Sequence, residues 1–232
     1  MNKIGIIGAM DEEVCRLKEI MINVKVHKIA SMDFYEGEIK TKSVIIVRCG
    51  IGKVNAAICS QILIDKFNIE GLINTGIAGS LNAKIDIADM VLSRDAIQHD
   101  MNATSFGYKY GEIPRMKNSI FVADADMIEK AHTACLKVNP DINVHVGRVL
   151  SGDEFVQDKE KKYWLLSQFG GYCVEMEGAA IAHVASLSSV PFLIIRGVSD
   201  KADDSAQMDF DKFEEKAIEN SVKLLTEMIP NL

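Results

Sequence analysis

The 232-residue chain is short of the features that would place it at a glance. Its five cysteines (Cys15, Cys49, Cys59, Cys135 and Cys173) are odd in number, widely spaced and never arranged as CxxC. That argues against a disulfide framework or a zinc site and fits buried thiols in a reducing compartment. Positive charge is scarce: 26 Lys and Arg face 33 Asp and Glu, for a net charge of -7. Broad nucleic-acid or anionic-membrane binding wants a basic face, so neither partner is expected. No apolar run reaches transmembrane length. The stretch Ile4 to Met10 lacks a small-residue cleavage site and runs straight into Asp11-Glu12-Glu13, which makes poor signal-peptide material. A cytoplasmic protein is therefore expected. Repeats, low-complexity tracts and Pro/Gly/Ser linkers are missing as well, so residues 1–232 are taken as one domain.

Apolar residues are plentiful at 48%, enough for a full core without disulfides or a structural metal. They fall into alternating strand-like and helix-like segments, the pattern of an α/β fold around a mostly parallel or mixed sheet. Strands are expected at Lys3–Met10, Phe34–Ile39, Ser43–Cys49, Gly71–Thr75, Ile87–Ser93, Val144–Leu150 and Pro191–Ile195. Helices are expected to start at Asp11 and to cover Ala56–Phe67, Asp124–Val138, Lys159–Phe169 and Asp209–Ile229, with a small-residue helix around Ala179–Ala185. Several strands end in glycine-bearing turns: Gly50-Ile51-Gly52 and Gly76-Ile77-Ala78-Gly79. Such turns permit close backbone approach to a ligand, or are simply tight connections. Neither GxGxxG nor a Walker A loop is present.

Carboxylates gather at the expected strand ends. Asp11-Glu12-Glu13 suits the first turn of a helix, or places one acid over the end of the first strand. Glu175-Met176-Glu177 opens the alanine-rich helix, and Arg196-Gly197-Val198-Ser199-Asp200 follows the last apolar run. A parallel βαβ unit would bring these two ends together at a carboxyl-edge crevice. Ser151-Gly152-Asp153-Glu154-Phe155-Val156 repeats the strand-then-polar theme; Phe155 either stacks on a planar ligand or plugs the core. The segment Gln98–Gly111 reads as a polar, aromatic loop suited to a lid or subunit contact, and His99-Asp100 lacks a third metal ligand.

Taken together, IGIIGAMDEE, GIGKVNAA, NTGIAGS, HDMNATSFGYKYG, SGDEF, VEMEGAAIAHV and RGVSDKAD resemble, in order and spacing, the 5'-methylthioadenosine/S-adenosylhomocysteine nucleosidases of the purine nucleoside phosphorylase/hydrolase superfamily. The resemblance runs from Lys3 to about Phe213. It implies a three-layer sandwich around a mixed, mostly parallel twisted sheet, and hydrolysis of the N-glycosidic bond of adenine nucleosides without metal or cofactor. Methionine salvage and nucleoside catabolism would be its setting. Carried over residue by residue, Glu13 would activate water and Asp200 would protonate adenine at N7. Glu177 would hold the ribose hydroxyls beside the backbone of Met176, with Glu175 in the same motif. Phe155 would stack on the base while the Val156 backbone meets its edge. Arg196 would hold the water or the ribose end, Ser199 would hydrogen-bond Asp200, and Ala78 and Gly79 would line the crevice with backbone. Met10, Ile51 and Phe210 would shape the 5' pocket, joined by Ala103, Phe106 and Pro114 from a partner subunit in a homodimer. One departure stands out: Ile77 occupies a position where the family commonly has serine, a lost hydrogen bond worth about 0.5–1.5 kcal/mol net.

The chemistry explains the choice of residues. Breaking an N-glycosidic bond builds positive charge on the sugar and negative charge on the base, which asks for one protonated and one ionised carboxyl plus an anion near the ribose. Two alternatives share the fold: a phosphorylase, in which Arg48 would help to hold phosphate, and a non-catalytic nucleoside-binding protein.

Overall fold

The computed structural model describes the backbone of residues 1–232 and every side chain except that of Asp211. The described residues form ten strands and six α-helices. In chain order these are β1 (Lys3–Gly8), α1 (Asp11–Glu19), β2 (Ile22–Ile29), β3 (Met32–Ile39), β4 (Lys42–Arg48), α2 (Lys53–Phe67), β5 (Gly71–Ser80) and β6 (Met90–Gln98). They continue with β7 (Phe121–Val122), α3 (Ala125–Val138), β8 (Val144–Ser151), α4 (Lys159–Phe169), β9 (Cys173–Glu175), α5 (Gly178–Leu187), β10 (Phe192–Asp200) and α6 (Ala206–Met228).

β5 is the hub. On one side it pairs in parallel with β1, which leads through β4 and β3 to the edge strand β2. On the other side it pairs in parallel with β10 and antiparallel with β9. β10 pairs with β6, β6 with β8 and β8 with β9, so these five strands close into a ring. The sheet is thus mixed, and helices flank it in two groups: α6 packs on β10 and β5 beside α1 and α3, while α2 and α5 pack together against β1 and β8. Ile4, Ile6 and Ile7 of β1, Val44–Val47 of β4 and Leu193–Ile195 of β10 are fully buried, as strands covered on both faces require.

Several expectations need correcting. The presumed turn at Gly76–Ser80 is the second half of β5, buried at all ten positions. β10 likewise runs on through Arg196 to Asp200, and β6 starts later and ends later than its apolar run suggested. A segment of glycine, alanine and single polar residues reads as a turn, yet extended backbone holds it when its neighbours need the space. β9 and β10 are not the two strands of a parallel βαβ unit; both pair with β5, in opposite senses. The edge strand β2 escaped notice, although INVKVHKI alternates with period two and carries the lysines typical of a guarded edge.

Helix ends were more legible. α3 and α4 begin where Asp124 and Asp158 accept the Met127 and Lys161 N–H groups at 3.0 and 2.8 Å.

Helix α6 lies directly on the backbone of β10: a Cβ built on Gly197 would fall 2.6 Å from the Ala217 carbonyl oxygen. Gly197→Ala is therefore expected to lower stability by about 1–3 kcal/mol through overpacking. Urea unfolding reads this as a reduced midpoint at unchanged slope; a wild-type midpoint would show that the helix has room to spare.

Candidate active site

A cavity of about 350 Å³ opens where the ends of β1, β5, β9 and β10 meet the start of α6. Its wall includes four carboxylates, Glu13, Glu175, Glu177 and Asp200, and no lysine or arginine among the described residues. All four are buried.

Glu13 is the third residue of α1 and reaches back over the strand end. Its Oε2 accepts the N–H groups of Ala9 and Met10 at 2.6 and 3.0 Å, and its Oε1 accepts that of Ile77 at 3.2 Å. Helix capping and orientation toward the cavity are therefore one and the same arrangement. Room for it comes from missing side chains: a Cβ on Gly76 would sit 2.4 Å from Glu13 Oε1. Burial pushes this carboxyl above its usual range, against the Arg196 charge and the three N–H donors.

Asp200 ends β10. Its Oδ1 accepts the Ala202 N–H at 2.7 Å, and its Oδ2 lies 2.8 Å from Ser199 Oγ. Gly79 clears the space here, since its Cβ would lie 2.7 Å from Asp200 Oδ1. Burial again raises the carboxyl above the ordinary value, despite these two hydrogen bonds.

Glu177 precedes α5, and its Oε1 accepts the Gly52 N–H at 2.8 Å. Burial, reinforced by the charge of Glu175, pushes it up to about 8. Cys49 stands near this wall, and burial with the Glu177 and Glu13 charges pushes its thiol up to about 12. It stays protonated and is no thiolate nucleophile.

Glu175 has another occupation. Its Oε2 accepts the N–H groups of Glu177 and Gly178 at 3.1 and 2.7 Å and pairs with Arg196 Nη2; its Oε1 takes a hydrogen bond from Ser151 Oγ. Arg196 is 2% exposed and is not part of the cavity wall. Its guanidinium also meets Asn74 Oδ1 and the carbonyls of Asn74 and Ile195. Arg196 thus backs the wall, while Glu175 lines it with its oxygens engaged in these bonds.

Of the other sequence-derived candidates, Met10, Ile51, Ala78, Gly79, Phe155, Met176, Ser199 and Phe210 line the cavity. Phe155 is 41% exposed and meets Phe210 edge-on at 6.2 Å, so it does not plug the core. Val156 lies in a small adjoining recess with Phe155 and Asp200. Ala103, Phe106 and Pro114 are not in the wall; Phe106 projects from its loop with 81% exposure. Ile77, noted above as the departure from the family's serine, lines the cavity, and so do Ala9, Val174 and Gln207, which had not been picked as site residues. Ile77 and Val174 are apolar strand residues whose composition marks only core, and Gln207 comes from an extra turn at the start of α6.

His99 is buried and burial holds it below the usual imidazole range, hence neutral. Among the described residues no cluster of three His, Cys, Asp or Glu side chains is arranged to hold a metal ion. A larger, shallower groove of about 980 Å³ runs between residues 116–125 and 186–192. Its one acid, Asp124, caps α3, so the chemistry belongs to the smaller cavity.

The sequence pattern of the phosphorylase superfamily matches residues 3–230. A 5'-methylthioadenosine/S-adenosylhomocysteine nucleosidase from an Exiguobacterium species is 41% identical over 96% of this chain and 95% of its own length. The Neisseria meningitidis nucleosidase of the same name, solved with methylthio-immucillin-A, superposes with a TM-score of 0.96 at 37% identity over the whole of both chains. A Helicobacter pylori futalosine hydrolase gives 0.94 at 32% identity, covering 100% of this chain and 98% of that one.

Removing Glu175 would leave a buried guanidinium without its counter-ion. Glu175→Ala is accordingly expected to cost about 3–5 kcal/mol of stability. Chemical unfolding of the variant checks this, and wild-type stability would mean that Arg196 finds its compensation elsewhere.

Proposed function

The chain belongs to the phosphorylase superfamily and, within it, to the 5'-methylthioadenosine/S-adenosylhomocysteine nucleosidases, and we infer that it hydrolyses the N-glycosidic bond of these two nucleosides to adenine and a 5-substituted ribose. What carries the reading is that Glu13, Glu177 and Asp200 line one buried cavity, each in a different hydrogen-bonding environment.

In the proposed mechanism Asp200 protonates adenine N7, which its burial suits, and Glu13 takes a proton from the attacking water. A base whose affinity for protons is raised by burial matches that task. Glu177, which burial and the Glu175 charge push up to about 8, binds the ribose hydroxyls and turns its carboxyl oxygens toward the cationic sugar of the transition state. Phe155 covers the base, whose edge meets the Val156 backbone; Met10, Ile51 and Phe210 receive the 5' substituent. Glu175 at the wall and Arg196 behind it hold Glu177 and the start of α5.

Water rather than phosphate is the nucleophile that suits this wall. Four carboxylates and no cation make a poor seat for a phosphate dianion. Arg48, the candidate phosphate ligand, pairs its Nε with Asp11 at 3.2 Å and stays outside the cavity. A protein that only bound nucleosides would have no use for two acids of opposite duty in one cavity.

The proposal extends to a cytoplasmic homodimer. Val54 and Ile58, one helical turn apart on α2, are 70% and 44% exposed, and Ile51 beside them is 56% exposed and lines the cavity. Such an apolar stripe at a cavity mouth is the kind of surface a second copy covers. It would bring Ala103, the exposed Phe106 and Pro114 of the partner's loop to the 5' end.

Adenine release from methylthioadenosine should proceed equally with and without phosphate, giving free methylthioribose; a sugar 1-phosphate product would move the protein to the phosphorylases. Asp200→Asn and Glu13→Gln should each lower turnover by about 10²–10⁴-fold with the fold retained. Near-normal turnover by either variant would remove that residue from the mechanism. Sedimentation equilibrium should report twice the chain mass for the wild type and a shift toward monomer for Val54→Glu. An unchanged mass for that variant would place the dimer contact on another face.

A further inference from the structure

Helix α2 begins without a cap of its own. Its N-cap position is Gly52, no side chain of the turn bonds to its first N–H groups, and its first turn contains no acid. Its first residue is instead Lys53, a cation at the positive end of the helix dipole, where charge of that sign is unfavourable. Gly50 and Gly52 hold φ values of +86° and +96°, so the turn is one that only glycine takes readily.

The missing acceptors come from elsewhere in the chain. The Gly52 N–H donates to Glu177 Oε1 at 2.8 Å, and the next one, of Lys53, donates to Asp153 Oδ1 at 2.8 Å. The Lys53 ammonium turns away from the helix to Asp100 Oδ1 at 2.7 Å and Gln98 Oε1 at 3.1 Å. Asp100 closes the circuit by accepting the Asp153 N–H on Oδ2 at 3.0 Å. Lys53, Asp100 and Asp153 therefore form a ring that joins the glycine turn, the end of β6 and the loop after β8. The Lys53 and Asp100 side chains are only 17% and 28% exposed. Against the effect of burial, the Lys53 ammonium and the Asp153 N–H hold Asp100 below the usual carboxylate range.

We propose that Lys53 and Asp100 are positioning residues for the sugar end of the site, clasping the Gly50–Gly52 turn so that its N–H meets Glu177. The proposal rests on the nucleosidase reading, in which Glu177 binds ribose. Neither residue lines the cavity, and their action is transmitted through Asp153 and the Gly52 amide. The base end is built on Phe155, Val156 and Asp200, none of which bonds to the ring, so the clasp distinguishes a nucleoside from a free base.

Equilibrium binding of free adenine and of a non-hydrolysable 7-deaza analogue of methylthioadenosine tests this without turnover. Lys53→Met should weaken the analogue by about tenfold, roughly one lost charge-assisted contact, and leave adenine within about threefold. Asp100→Asn should do the same, the double variant should be no worse than either single one, and Lys53→Arg should recover most of the loss. Equal weakening of both ligands would reveal general damage and overturn the proposal, as would no weakening of the analogue. Should Lys53→Met fail to fold, the near-isosteric Asp100→Asn decides by the same ratio. Wild-type protein that binds neither ligand would overturn the nucleosidase reading itself, and the clasp with it.

Discussion

The buried pair of Arg196 and Glu175 is the constraint on which the cavity depends. A guanidinium shut away from water must find its partners inside the protein; its Nε has none, and those of its two terminal nitrogens come from three strands. Glu175 at the end of β9 supplies the counter-charge, Asn74 of β5 a side-chain and a main-chain oxygen, and Ile195 of β10 a carbonyl. Glu175 in turn holds Ser151 at the end of β8 and the first N–H groups of α5. Four of the five strands in the closed ring are thereby pinned at one edge. Removing one partner of such a pair is far more costly than the pair is favourable, which makes the arrangement a fixed frame for the acids around it.

That frame also sets the surroundings of three nearby carboxyls. Each loses solvation, and each is compensated by a different set of donors: three backbone N–H groups for Glu13, one N–H and a hydroxyl for Asp200, a single N–H for Glu177. Arg196 contributes positive charge to Glu13 and Glu177 and is not among the influences on Asp200. Burial outweighs these compensations at all three, so each carboxyl lies above its ordinary range.

Much of this was legible before any coordinates. Alternating apolar runs and helices, and the clustering of acids after apolar segments, follow local rules that short stretches obey on their own. The resemblance then assigned roles that local rules leave open. What escaped the sequence is long-range. Gly76 and Gly79 looked like turn residues because a strand of small side chains has no apolar signature, yet they are strand residues whose absent Cβ atoms admit Glu13 and Asp200. Arg196 and Glu175 looked like ligand contacts because charge next to a motif invites that reading; only the packing shows that they bind each other. The clasp of Lys53 with Asp100 spans 47 residues and leaves no local trace.

Ile77 shows how the site absorbs a departure from the family's serine. The contact that reaches Glu13 at this position is the backbone N–H, which any residue but proline provides. The side chain packs instead with Met10, Phe210, Ala217, Ile218 and Val222, an apolar cluster shared by the cavity wall and α6. Replacing a hydroxyl by isobutyl-sized hydrocarbon strips a water-binding group from the neighbourhood of Glu13 and lowers the local polarity. Desolvation is already the largest influence on that carboxyl, and it acts to raise proton affinity. In the proposed mechanism, a base that lacks this hydrogen-bonding helper for its water sits in less polar surroundings, which favour proton uptake. The two effects oppose each other in the rate, so isoleucine at this position is compatible with hydrolysis and shifts the burden of orienting the water onto the carboxylate itself.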